Sequence, residues 1–216
     1  MLARLTFIAA LAFAPVAMAQ DAPTESGAQV RRSTTWTQAQ ALIDRTGYPD
    51  LFENQSSDTR LIIRHKASGL ICDYSPEEKN NSLMLFPGLP AGDDVGCNAD
   101  AGNIYMTYYA TRYGPGVSVQ QAAADTAAGI RNRFSDARPY EGPVVQVTAL
   151  EGVGEQIYLA YIVGQGDRAL HAQARLAKVG EWIFKQRMTT PESLALGAEV
   201  MLTTGRWTTV LEAATD

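Results

Sequence analysis

Cys72 and Cys97 are the only cysteines in this chain of 216 residues, and their pairing would constrain the fold more than any other feature. A crosslink between them closes a loop of about 25 residues, which stabilises a folded state by about 3 kcal/mol through the unfolded chain's lost entropy. The pairing is expected from compartment, because thiols oxidise outside the cytosol. Cys72 follows an apolar run that reads as a strand. Cys97 lies in a stretch, Gly88 to Gly102, rich in Gly and Asp, which predicts a long loop pinned to that strand.

The compartment is read from the first 19 residues. Arg4 precedes an apolar run from Leu5 through Val16, and Ala17-Met18-Ala19 offers small residues for cleavage before Gln20. That pattern predicts a secretory signal peptide over residues 1–19. The run is too short to span a bilayer comfortably, and no later stretch is long and apolar enough, so no integral membrane segment is expected. No cysteine stands at the cleavage point to carry a lipid anchor. The alanine-rich leader points to the periplasm, with secretion as the alternative. Without Arg4, 17 basic residues face 23 acidic ones. An acidic surface of that kind suits neither nucleic acid nor an anionic membrane.

Residues 20–34 carry Ala, Ser, Gly and Gln without apolar periodicity and read as a flexible arm. Thr35 with Gln38 forms a capping-box pattern, and Trp36, Ala39 and Ile43 fall at helical spacing, so a first helix is predicted from Trp36 to Thr46. Two strands around Ala67-Ser68-Gly69 form a hairpin, and Leu83 to Phe86 forms another strand. Asn103 to Tyr113 alternates Ile104, Met106, Tyr108 and Ala110 with Tyr105, Thr107, Tyr109, Thr111 and Tyr113. Both faces of that strand can be buried. Ser118 with Gln121 then opens a helix whose stripe is Val119, Ala122, Ala123, Thr126, Ile130 and Phe134.

Four further strands are predicted at Pro143–Leu150, Gln156–Val163, Ala169–Lys178 and Trp182–Met188, joined by Gly-containing turns. A last helix starts after Thr190-Pro191, with Leu194, Leu196, Val200 and Met201 as its apolar side, and Gly205 ends it. The sum is one α+β domain over residues 35–216: a mostly antiparallel sheet of about seven strands flanked by three helices, an α/β/α sandwich. This succession, from Trp36 to Val210, resembles the PsbP-like sandwiches. The resemblance implies a non-catalytic accessory or assembly role and brings no site residues with it. The Cys72 to Cys97 excursion departs from that family.

Chemistry-bearing patterns are sparse. His65 and His171 lie on separate predicted strands, and no spacing of His, Cys, Asp or Glu matches a metal site, so neither metal nor cofactor is expected. Ser68 sits in a turn near His65, and no G-x-S-x-G or S-x-x-K motif occurs, which favours turn chemistry over a nucleophile. Asp93, Asp94 and Asp100 lack the spacing of a calcium loop, and Gly152-Val153-Gly154 and Gly164-Gln165-Gly166 join strands without opening helices.

The positive candidate comes from register. A three-residue turn Val179-Gly180-Glu181 would gather His171, Gln173, Arg175, Lys185 and Arg187 on one sheet face, able to hold an anion or a carboxylate-bearing partner. Tyr105, Tyr109 and Tyr113 form a second candidate surface, either an interface or the bed of the Ser118 helix. The expected function is a non-catalytic binding or assembly module for a protein or a small anionic ligand. The alternatives are a small hydrolase using His65 or His171 and a small-ligand carrier.

Overall fold

A computed structural model describes residues 25–77, 80–101, 104–147 and 149–215, so the predicted leader lies outside the described residues. The fold is α+β, and its centre is an antiparallel sheet of seven strands. These are β4 (Ser82–Leu85), β5 (Asp94–Ala101), β6 (Ile104–Thr111), β10 (Trp182–Pro191), β9 (Leu170–Val179), β8 (Val153–Val163) and β7 (Arg138–Pro139), in that spatial order. A second sheet of three short strands, β1 (Phe52–Asn54), β2 (Leu61–His65) and β3 (Ile71–Tyr74), carries the predicted hairpin. One sheet was expected where the described residues form two.

The two sheets share one buried core, and the disulfide joins them. Cys72 of β3 and Cys97 of β5 are bonded, with Cα atoms 6.0 Å apart. Cys97 is therefore on a strand paired on both sides, not in a loop. The composition misleads because the Gly and Asp residues of β5 serve its other face, where Asn98 accepts from the Thr107 hydroxyl at 2.9 Å and Asp94 from the Thr111 hydroxyl at 2.8 Å. Polar residues can build a strand when their partners lie directly across it.

The sheet face that meets Cys72 is closed. Val95 and Cys97, Met106, Tyr108 and Ala110, and Trp182, Phe184 and Met188 are buried there with Leu61, Ile63 and Leu70 from the small sheet region. Helix α1 (Glu25–Asp44) adds Ala39, Leu42 and Ile43, and the C-terminal helix α4 (Thr208–Thr215) adds Val210 and Leu211. Residues 25–34, read from sequence as an arm, belong to α1. Ala, Gln and Arg sustain a helix without an apolar stripe. Thr35, predicted as its cap, is inside it and donates to the Ser57 carbonyl at 2.6 Å.

The opposite face is covered only in part. Helix α2 (Val119–Arg133) starts as predicted, with the Ser118 hydroxyl accepting from the Gln121 amide at 3.1 Å. Its stripe of Val119, Ala122, Ala123, Ala127 and Ile130 lies on Ala172, Ala174, Leu176, Tyr161, Val163 and Ile183. Small alanines allow close approach, and that packing ends at β10.

Three further expectations change. The described residues of the predicted strand Pro143–Leu150, 143–147 and 149–150, form no strand, and Val147 and Leu150 pack on the core of the closed face. After α3 (Ala195–Leu202) the chain makes a π-helical turn, Thr203–Trp207, and enters α4, so that there are four α-helices among the described residues where three were predicted. β10 continues through Pro191, so α3 starts later than expected and buries Ala195 and Ala198 while Leu194, Leu196, Val200 and Met201 remain exposed.

Candidate functional site

The turn between β9 and β10 decides the site. Val179 pairs with Trp182, which leaves a two-residue loop, Gly180-Glu181, with Gly180 at φ +56°. Glycine at the first of two loop positions is the arrangement of a type II′ hairpin. One residue fewer than predicted reverses which face each β10 side chain takes. Lys185 stands opposite Leu176 and Arg187 opposite Ala174, whereas Arg175 stands opposite Gln186, Gln173 opposite Met188, and His171 opposite Thr190.

The five residues predicted to converge are thus split. His171, Gln173 and Arg175 point into the closed face and are buried with Gln186 and Thr190. Arg175 donates to the Val145 carbonyl at 2.7 Å and lies 4.6 Å above the Tyr158 ring, whose hydroxyl donates to Gln173 Oε1 at 3.1 Å. His171 stands edge-on to Tyr140 at 4.5 Å. These groups build the interior and present nothing to a ligand.

Lys185 and Arg187 take the other face, beside α2. They line a groove of about 260 Å³ with Tyr113, Ala122, Asp125, Thr126, Gly129 and Arg133. Both are half-buried, and neither forms an ion pair among the described residues. Burial holds the Lys185 amine below its usual range, Arg187 pushes it the same way, and Asp94 opposes them. Its ammonium lies 4.4 Å above the Tyr109 ring, which packs on Phe86 at 5.6 Å. Both rings close over Gly96, where an added Cβ would fall 2.8 Å from the Tyr108 carbonyl oxygen and 3.1 Å from Phe86. Two adjacent cations taken partly out of water outside any ion pair, with only the field of Asp94 to offset them at Lys185, are unfavourable, and an anion in the groove would relieve that cost.

The tyrosines divide as well. Tyr113 packs under the start of α2, Tyr109 belongs to the uncovered half of the sheet, and Tyr105 is 46% exposed near its end. The groove was missed because α2 stops short of β6. A signal for it existed in the Lys185/Arg187 spacing, once the turn length is known.

His65 and Ser68 do touch, at 2.8 Å between Nδ1 and Oγ. The Ser68 amide also donates to Nδ1 at 3.3 Å, and the Ser68 oxygen accepts from the Leu70 amide at 3.1 Å. Both side chains are buried between the sheets, His65 against Phe52 and Trp182. Burial pushes the imidazole down to about 4, with Asp93 raising it and Arg112 lowering it. The pair closes a turn. The turn also packs on α4, since a Cβ at Gly69 would meet the Ala213 carbonyl oxygen at 2.7 Å. Asp93 is paired with Arg112, and among the described residues no three His, Cys, Asp or Glu side chains converge as a metal site would require.

No protein-family model and no curated protein matches this chain. Among solved structures, a Pseudomonas aeruginosa protein of unknown function matches at a TM-score of 0.37 and 10% identity, over 71% of this chain and 94% of that one. A likeness this slight assigns neither a fold nor a function. No helix among the described residues is long and apolar enough to cross a membrane.

Proposed function

We propose that this chain is an exported, periplasmic, non-catalytic binding module that holds a small anionic ligand, or a carboxylate presented by a partner, in the groove between α2 and the uncovered half of the large sheet. The observation that carries this reading is that Lys185 and Arg187, half-buried side by side, form no ion pair among the described residues of an acidic protein. The disulfide suits an oxidising compartment, and the leader-like N-terminus points the same way. The accessory role implied by the PsbP-like order of elements agrees with a binding function.

The test is native mass spectrometry and calorimetry on the chain purified from the periplasm. The wild type should take up small carboxylates in a salt-sensitive way. Charge reversal (K185E with R187E) should abolish uptake while leaving the unfolding midpoint in place. Undiminished uptake by that variant would remove the groove from the account.

A further inference from the structure

The two walls of the groove offer opposite hydrogen-bonding chemistry. The sheet side presents two charged donors, the Lys185 ammonium and the Arg187 guanidinium, beside the Tyr113 ring. On α2, the Thr126 hydroxyl already donates to the Ala122 carbonyl at 2.8 Å, so what it turns to a ligand is a lone pair. Asp125 accepts from Gln121 through Oδ1 at 2.9 Å, which leaves its second carboxylate oxygen available at the rim. Asp125 and Thr126 together are an acceptor pair facing a donor pair.

The groove is also polarised along its length. Arg133 lies eight residues beyond Asp125 on α2, about 12 Å further along at 1.5 Å per residue. Positive charge therefore gathers at one end and along the sheet, while the one carboxylate of the groove's lining, Asp125, sits at the other, with Asp94 acting on Lys185 from β5. A simple dianion would be attracted by the first set and repelled by Asp125. A ligand carrying both signs satisfies each set. The space is small, below the roughly 300–1,000 Å³ of a drug-sized pocket, and its walls at Ala122 and Gly129 carry little side chain. A Cβ added at Gly129 would meet nothing within 4 Å, so room remains there for the body of a ligand.

We infer that the groove takes a small zwitterion of the free amino acid type, with its carboxylate on Lys185 and Arg187 and its ammonium against Asp125 and Thr126. This rests on the binding reading above and narrows it to one ligand class. Lys185 remains a binding group, held on the Tyr109 ring, and no bond is made or broken.

Calorimetry on the mature chain with three matched probes tests it: L-norvaline, pentanoate, which lacks the amine, and butylamine, which lacks the carboxylate. Norvaline should bind about tenfold more tightly than either, the value of one charge-assisted contact. Asp125→Asn should bring norvaline down to the level of pentanoate and leave pentanoate unchanged or improved. Asp125 is exposed, so this variant keeps the fold, which an unchanged unfolding midpoint verifies. Pentanoate binding as tightly as norvaline, with loss of both in K185E/R187E, would overturn the zwitterion and leave a plain anion groove standing. Absence of binding by all three probes would overturn the zwitterion too. Uptake of norvaline undiminished in K185E/R187E would overturn both readings.

Discussion

One sheet carries two unlike faces. The face toward the small sheet is closed by α1, α4 and the Cys72–Cys97 bond, and even its polar residues are spent on internal contacts: Arg175 on Val145, Gln173 on Tyr158, Gln186 on Tyr108. The face toward α2 is covered over β8, β9 and the near edge of β10, and beyond that it leaves Lys185 and Arg187 outside any ion pair among the described residues. The same residue type does different work on each. Arg175 is a structural donor, and Arg187 is an available cation. The difference teaches that charge alone does not mark a site; a charge whose partner is missing does.

That contrast can be broken most forcefully at the disulfide. Reduction, or Cys72→Ser with Cys97→Ser, should cost about 3 kcal/mol in urea unfolding. Hydrogen exchange should then rise first in β1, β2, β3 and α1, with α2 and β8 to β10 keeping their protection. Equal loosening of both faces would mean they are not separate units.

Acid should act next, and again on the closed side. The folded value of His65 lies near 4, below the ordinary 6.5, so between those two pH values the unfolded chain takes up a proton that the folded chain refuses. Stability should therefore fall as pH drops from about 6.5 to about 4, by up to about 3 kcal/mol, with no contribution above that window. Asp93 and Arg112 stay paired nearby. His65→Gln should flatten this part of the profile in a comparison of unfolding free energies at matched pH, and an unaltered slope would show that His65 is not held neutral.

Much of the fold was legible in the residues. Helix α2 announced itself through Ser118, Gln121 and its alanine stripe, and β6, β8, β9 and β10 through alternation. The disulfide pair followed from compartment chemistry. Strand β5 was hidden because Asp94 and Asn98 look like loop residues until Thr111 and Thr107 are seen across from them. The site was half legible. The charges of Lys185 and Arg187 mark them in the sequence, but a three-residue turn places them with His171, Gln173 and Arg175, and the two-residue turn separates them. Alternation fixes register only where one face is apolar and the other wet. β9 is buried on both faces along most of its length, so its polar residues did not reveal that the turn has two residues and not three.

The central claim is that Arg175 and Arg187 serve opposite ends, one stability and the other binding. Urea unfolding of Arg175→Gln and Arg187→Gln under identical conditions tests it most directly. Arg175→Gln should lose about 2 kcal/mol, because it removes a charge-assisted hydrogen bond from the interior, and Arg187→Gln should stay within about 0.5 kcal/mol of the parent or rise slightly as its repulsion with Lys185 disappears. Equal losses from the two substitutions, or a larger loss at Arg187, would contradict the division of the sheet into a closed face and a binding face.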